Sequence, residues 1–98
     1  MPDRYLVTLS KRAAKDKEEF KKPAEREKIA EMLSKMEEDP FYLPYEKLVL
    51  NLSGKYSRRI NIHDRLVYEV RELEGYKGEV YVIRMKGHYK RVHGLLMM

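Results

Sequence analysis

Hydrophobic and polar residues alternate near the start of the chain and then give way to helical spacing. Residues 4–9 place apolar side chains at every second position, a pattern typical of a half-buried strand. Ser10 is a suitable N-cap, so we expect a charged helix over residues 11–20. Pro23 favours the first turn of a second helix, which Pro40 would stop. The apolar stripe of that second helix consists of Ile29, Met32, Leu33 and Met36.

Short alternating segments dominate the second half of the chain. Their apolar faces recur every second residue, which predicts strands and not helices. The connections between them are short, so neighbouring strands should run antiparallel as a meander. The predicted strands cover residues 48–51, 56–62, 65–71 and 80–85, with a hairpin link at residues 63–64 and a turn at residues 74–78.

The order of these elements predicts an α+β fold in a single domain of residues 1–98. A chain of 98 residues has room for one hydrophobic core. We expect the N-terminal strand to be followed by two helices that pack on one face of an antiparallel sheet of four or five strands, because each helix has one apolar stripe to bury. The opposite face of the sheet would then be left for function.

The composition excludes several classes of protein. Cysteine is absent, which excludes disulfides, thiolate metal sites and cysteine nucleophiles. The first residues carry charges on both sides of a short hydrophobic stretch, unlike a signal peptide, and no segment approaches transmembrane length. We therefore expect a cytoplasmic protein with no membrane association.

Positive charge is concentrated in two parts of the chain. The net charge is +5, from 21 basic and 16 acidic residues. Residues 11–28 carry eight Lys or Arg against five Asp or Glu, and no acidic residue follows Glu79. The first cluster fits a solvated helix face as well as a binding surface. The second is lopsided in so charged a chain, which indicates binding to a polyanion.

Three arginines lie close together in the predicted meander. Arg59 and Arg65 flank the hairpin and Arg58 is adjacent, so their guanidinium groups can converge on one patch of the sheet. Guanidinium groups match the geometry of phosphate oxygens. The alternative interpretation is a set of surface arginines paired with nearby acids, namely Asp64, Glu69 and Glu72.

His88 follows the last predicted strand in a basic neighbourhood that includes Lys86. A histidine there can donate a proton near neutral pH, although a histidine at a strand end is also a common surface residue. Tyr89 can stack on a base or simply pack. Metal-free RNA cleavage needs a base, cations near phosphorus and an acid, and the three histidines lack the spacing of metal ligands.

A series of short motifs carries a more specific signal. Residues 51–54 read Asn-Leu-Ser-Gly, residues 57–60 Ser-Arg-Arg-Ile, residues 65–68 Arg-Leu-Val-Tyr and residues 88–89 His-Tyr. In this order and spacing they resemble the YoeB/Txe family of the RelE/ParE toxin superfamily, found in bacterial type II toxin–antitoxin modules. The similarity runs from residue 39 to residue 89, which is about half of the chain.

The resemblance implies a RelE-like fold and a ribosome-dependent mRNA endonuclease that uses no metal or other cofactor. By position, the family's general base, phosphate clamp and general acid fall on Glu46, Arg65 and His88. Periodicity alone does not distinguish Glu46 from the other acids. The implied catalytic residues are Glu46, Arg65, His88 and Tyr89, and the implied phosphate-binding residues are Arg58, Arg59 and Lys86.

The resemblance also implies three partners. These are mRNA in the ribosomal A site, ribosomal RNA, and an antitoxin whose extended acidic C-terminal segment folds onto the toxin. Toxin homodimers are common in the family, so a homodimer is a further expectation. The basic first helix would contact ribosomal RNA in a salt-dependent way through Lys11, Arg12, Lys15 and Lys17.

Two features depart from the family pattern. Residues 90–98 form an extra C-terminal tail, and the turn at residues 74–78 is longer than usual. Two other functions stay open: a ParE-like toxin that binds gyrase without nuclease activity, and a non-catalytic RNA-binding module. An acid–base pair such as Glu46 with His88 favours the nuclease, since neither alternative needs one.

Overall fold

The computed structural model of the chain describes residues 2–87, which form five strands and two α-helices. Ser10 caps the first helix as predicted, because its hydroxyl accepts a hydrogen bond from the backbone N–H of Ala13. Pro23 opens the second helix, also as predicted. In chain order the elements are β1 (Tyr5–Leu9), α1 (Lys11–Glu19), α2 (Pro23–Glu38), β2 (Glu46–Lys47), β3 (Tyr56–Arg59), β4 (Arg65–Arg71) and β5 (Gly78–Arg84).

The strands of this region belong to one sheet with the order β1-β5-β4-β3-β2. From β2 to β5 the neighbours are antiparallel, which confirms the predicted meander. β1, however, runs parallel to β5, with Tyr5 opposite Gly78 and Leu9 opposite Val82. The sheet is therefore mixed and not antiparallel. The rule that short connections join antiparallel strands does not apply to β1, because two helices lie between β1 and the next strand along the chain.

The two helices pack on the same face of the sheet, and the predicted α+β architecture is confirmed. The apolar stripe of α2 is buried except for Leu33, which is partly buried. Each large apolar side chain removed from water in this way stabilises the fold by about 1.5–3 kcal/mol. The core consists of Ala13, Phe20, Ile29, Met32 and Met36 from the helices and Ile60, Leu66, Tyr68, Val80, Val82 and Met85 from the sheet and its loops.

The short strand expected at residues 48–51 lies earlier in the chain. β2 occupies Glu46–Lys47, and a 3₁₀ turn occupies Leu50–Leu52. Leu50 has a φ of 60°, a left-handed conformation that cannot continue an extended strand. Because β2 begins at Glu46, this residue lies within the sheet, where it is in register with Ser57 of β3.

The strand expected to span residues 56–62 ends at Arg59. The side-chain oxygen of Asn61 accepts hydrogen bonds from the backbone N–H groups of His63 and Asp64, both at 2.7 Å. This turn bends the chain before it can extend further. The hairpin between β3 and β4 was predicted correctly, but its connection is longer than the two residues expected.

Tyr68 joins the centre of the sheet to the loop that follows α2. Its side chain is fully buried, and its hydroxyl donates a hydrogen bond to the carbonyl oxygen of Pro40 at 2.6 Å. Burial raises the pKa of Tyr68 from its ordinary value of 10.0 to about 12. The neutral phenol is therefore the form that the fold stabilises.

Replacing Tyr68 with Phe should lower the free energy of unfolding by about 1 kcal/mol at pH 7, because one hydrogen bond is lost. Since the pKa of Tyr68 in the folded state lies above 10.0, the stability that the phenol contributes is complete below pH 10 and is lost as the pH rises towards 12. Urea denaturation at pH 7 and pH 11 should show the wild-type advantage shrinking. An advantage that is the same at both pH values would contradict this account.

Candidate active site

Glu46 and Arg65 form an ion pair where β2, β3 and β4 lie side by side. Arg65 Nη1 lies 2.7 Å from Glu46 Oε1, and the same nitrogen donates a longer hydrogen bond of 3.3 Å to Ser57 Oγ. The Glu46 side chain is 62% exposed, whereas that of Arg65 is 18% exposed. A pair this open to water contributes less than about 1 kcal/mol to stability. The Glu46 carboxylate is therefore accessible, and the Arg65 guanidinium group beside it is bound by both Glu46 and Ser57.

Arg59 brings a second guanidinium group to the same corner of the sheet. It lies directly opposite Arg65 in the register of β3 and β4. Like charges in directly opposed positions disfavour pairing of the strands. Arg59 is exposed and forms no ion pair with any residue of the range 2–87. Two adjacent arginines, of which only Arg65 is paired with a carboxylate, leave a positive excess that a phosphate can neutralise.

A cavity of about 410 Å³ opens beside this corner. Glu46, Arg59 and Arg65 line one part of it, and Lys28 and Lys35 of α2 line another. Over the whole lining, five cationic side chains face two carboxylates. The size is within the range of small-molecule sites, and the charge favours an anionic occupant.

Arg58 was predicted to contact phosphate, and it lines the same cavity, but its guanidinium group is bound to the loop after α2. Its residue exposure is 3%, and its guanidinium carbon lies 3.6 Å from the centre of the Tyr42 ring. Its two terminal nitrogens donate to the carbonyl oxygens of Pro44 at 2.9 Å and Pro40 at 2.6 Å. Side chains on a strand alternate between faces, so Arg58 points away from Arg59 and into the protein. These contacts give Arg58 a structural role, which holds the loop after α2 against the sheet, and phosphate binding by Arg58 stays a prediction.

Lys86 was predicted to bind phosphate as well. Its ammonium nitrogen lies 4.3 Å from the centre of the Phe20 ring at the end of α1, a cation–π contact. The next residue, Gly87, lies beside Arg65, whose backbone N–H donates to the Gly87 carbonyl oxygen at 3.2 Å. At residue 87 the chain is therefore bound to the backbone at the start of β4. The predicted acid His88, its neighbour Tyr89 and the tail of residues 90–98 lie outside the described residues.

The four cations predicted to contact ribosomal RNA are exposed on α1. Arg12 differs from the other three, because its Nε lies 3.5 Å from the Asp16 carboxylate one turn further along the helix. That carboxylate is buried, so Arg12 has a partner within the fold. The remaining members of the set are Lys11, Lys15 and Lys17.

The alternative pairings for the arginine cluster do not match the contacts in the described region. Glu69 pairs with Arg71 and Lys55. Asp64 accepts the backbone N–H of Gly87 at 3.0 Å. Among residues 2–87, no three His, Asp or Glu side chains come together as a metal site would require. No helix in that range combines the length and apolar character needed to cross a bilayer.

Two residues of this region were not selected from the sequence. Ser57 belongs to the Ser-Arg-Arg-Ile motif, but its place beside Glu46 and Arg65 follows only from the register of β2 with β3 and from its hydrogen bond with Arg65. Asp16 is one of several acids on a charged helix. A spacing of four residues from Arg12 is typical of an ordinary surface pair on a helix, and the burial of Asp16 depends on how α1 packs against the end of β5.

The comparison with protein families decides the family. Residues 10–89 match the model of the YoeB-like toxin of the bacterial type II toxin–antitoxin system. The chain belongs to the YoeB-like toxins. The family inferred from the short motifs is thereby confirmed, and the match extends well beyond the half of the chain that the motifs covered. A search of curated proteins finds no significant match.

Solved structures agree with the family. The YoeB/ParE toxin from Agrobacterium tumefaciens has 26% sequence identity, with 86% of this chain and 99% of that chain covered at a TM-score of 0.74. The YoeB dimer from Staphylococcus aureus has 33% identity, with 88% and 99% covered and a TM-score of 0.72. A YoeB–YefM complex from Staphylococcus aureus has the same identity and coverage, with a TM-score of 0.67.

The adjacent arginines of this YoeB-like toxin should differ sharply in their effect on stability. Arg58→Ala removes two hydrogen bonds to the loop after α2 and opens space beside Tyr42, so we expect a loss of about 2–4 kcal/mol. Arg59→Ala, the matched control on an exposed position, should change stability by less than about 0.5 kcal/mol. Thermal and urea unfolding measure both. Equal stability of the two variants would show that Arg58 is not structural.

Proposed function

We propose that this YoeB-like toxin is a ribosome-dependent mRNA endonuclease that cleaves by metal-free acid–base chemistry. The observation that carries the proposal is the accessible Glu46 carboxylate 2.7 Å from the guanidinium group of Arg65. A base and a cation in contact are what attack by a 2′-hydroxyl on the adjacent phosphate needs. A ribosomal substrate implies action in the cytoplasm.

Each step of the cleavage has a residue of suitable chemistry. Glu46 takes the proton from the 2′-hydroxyl as its oxygen forms a bond to phosphorus. Arg65 stabilises the negative charge that develops on the phosphate oxygens, and Arg59 assists from the neighbouring strand. The bond from phosphorus to the 5′-oxygen then breaks, and His88 supplies the proton to that oxygen. The products are a 2′,3′-cyclic phosphate and a 5′-hydroxyl.

The hydrogen bonding of Arg65 leaves capacity for a phosphate. A guanidinium group has five N–H donors, and the contacts with Glu46 and Ser57 both use Nη1. The donors on the other nitrogens can therefore bind phosphate oxygens while Glu46 stays in place. The adjacent cavity of about 410 Å³ offers space for the nucleotide next to the scissile bond.

The proposed role of His88 is supported by its place in the sequence, directly after Gly87. Gly87 is held against Arg65 through its carbonyl oxygen, and consecutive Cα atoms are about 3.8 Å apart. His88 therefore follows in sequence a residue that is bound to the backbone of Arg65. Tyr89, one position further, is proposed to orient the substrate.

Binding to the ribosome is proposed to use the basic side of α1. Lys11, Lys15 and Lys17 are exposed, and contacts of this type with RNA backbone weaken steeply as salt increases. For protein partners we propose an antitoxin with an acidic C-terminal segment, and a homodimer. The solved complexes of Staphylococcus aureus YoeB with YefM, and the YoeB dimer from the same organism, support these two proposals.

Removing the base, the clamp or the acid should each slow mRNA cleavage on programmed ribosomes by a factor on the order of 10²–10⁴. The variants are Glu46→Gln, Arg65→Ala and His88→Ala. Glu46→Gln is the sharpest of them, because the amide keeps the size of the side chain but cannot take a proton. Glu72→Gln, an exposed acid beyond the end of β4, is the matched control and should cleave at the wild-type rate.

Growth of cells that express the same variants provides the second readout. Wild-type toxin should arrest growth and truncate mRNA, and the three variants should relieve both effects. Arrest that persists in all three, without cleaved mRNA, would overturn the nuclease. That outcome would instead favour a toxin that acts by binding gyrase or RNA.

A further inference from the structure

Three consecutive backbone N–H groups at the end of β5 are held by two carboxylates. Asp16 Oδ2 accepts from Met85 at 3.0 Å and from Lys86 at 3.1 Å. Asp64 Oδ1 accepts from Gly87 at 3.0 Å. One carboxylate comes from α1 and the other from the turn between β3 and β4, so two separate elements converge on one short segment.

The Asp16 carboxylate binds backbone N–H groups that lie beyond the pairing of β5 with β1. β1 pairs with β5 only as far as Val82, and Ser10 then bonds the Val82 and Ile83 carbonyl oxygens as the chain turns into α1. Residues 85 and 86 lie beyond that pairing, and their N–H groups donate to the Asp16 side chain. Asp16 is only 7% exposed, and burying a carboxylate is costly unless it accepts hydrogen bonds of this kind.

Asp64 is itself fixed by its neighbours. Its second oxygen accepts from the Asn61 side-chain amide at 3.1 Å, and that amide also donates to Glu25 of α2 at 2.7 Å. Arg65, the next residue, donates its backbone N–H to the carbonyl oxygen of Gly87 at 3.2 Å. The backbone N–H of Gly87 is therefore bound by Asp64, the last residue of the turn, and its carbonyl oxygen is bound by Arg65, the first residue of β4.

We infer that Asp16 and Asp64 are positioning residues for the proposed acid at position 88, an inference that rests on the proposed function. The two carboxylates fix the path of residues 85–87, which lead directly into position 88. Displacement of a catalytic group by about 1 Å can slow a reaction on the order of 100-fold, so fixing this path has a direct effect on rate.

Hydrogen exchange in the free toxin tests the contacts without reference to cleavage. Asp16→Ala should speed exchange at the amides of Met85 and Lys86, and Asp64→Ala should speed exchange at Gly87, each by about tenfold or more. Glu19→Ala removes an exposed carboxylate from α1 and is the matched control, with no change expected. Unchanged exchange in both Asp variants would overturn the inference at its structural basis.

Cleavage on programmed ribosomes then separates positioning from stability. Both alanine variants should lower kcat on the order of 10- to 100-fold. Asp64→Ala should leave KM nearly unchanged, because its carboxylate is not on α1, the proposed ribosome-binding helix. Asp16→Asn and Asp64→Asn keep an oxygen acceptor and should recover most of kcat, which also covers the case in which an alanine variant fails to fold.

The outcomes are distinguishable from failure of the proposed function itself. If wild-type toxin cleaves and the alanine variants cleave at the same kcat despite faster exchange, positioning is refuted and the nuclease stands. Full kcat loss in the asparagine variants, with wild-type exchange, would also refute positioning. If wild-type toxin does not cleave, the proposed function fails, and with it the inference about His88.

Discussion

The insertion of β5 between β1 and β4 is the constraint on which the rest of the structure depends. β1 pairs with β5 in parallel, and the two helices carry the chain from β1 to β2 at the opposite edge of the sheet. The helices thereby cover the face that carries Leu66, Tyr68 and Val82. The same placement brings the end of β5 beside the start of β4, where Arg65 meets Gly87. β4 therefore contributes Leu66 and Tyr68 to the core and Arg65 to the candidate site.

The candidate site is assembled at the edge of this sheet from elements distant in sequence. Glu46 reaches Arg65 because β2, although only two residues long, pairs with β3 in a register that sets Glu46 opposite Ser57. The buried Arg58 fixes the loop before β2 by binding the carbonyl oxygens of Pro40 and Pro44. Alternation along β3 thus gives adjacent arginines opposite tasks. One supports the loop from inside the protein, and the other is exposed beside Arg65.

Local patterns predicted most of the fold, and long-range packing accounts for what they missed. The cap at Ser10, the start of α2 at Pro23 and the meander follow from spacing and turn chemistry within a few residues. The direction of β1 depends on a strand some 70 residues away, and no local rule contains it. Arg58 and Arg59 are identical in type, so only the face of β3 separates their roles. Glu46 came from the family resemblance, and its contact with Arg65 came from the structure.

The central claim is that Glu46 directs a 2′-hydroxyl of the message against the neighbouring phosphate, with Arg65 stabilising the charge. The most direct measurement uses ribosomes programmed with an mRNA in which a single 2′-deoxynucleotide precedes the mapped cleavage site. The account predicts that cleavage at that bond is abolished, while the unmodified message is cut to a 2′,3′-cyclic phosphate and a 5′-hydroxyl. Cleavage of the deoxy-substituted bond at the wild-type rate would contradict it.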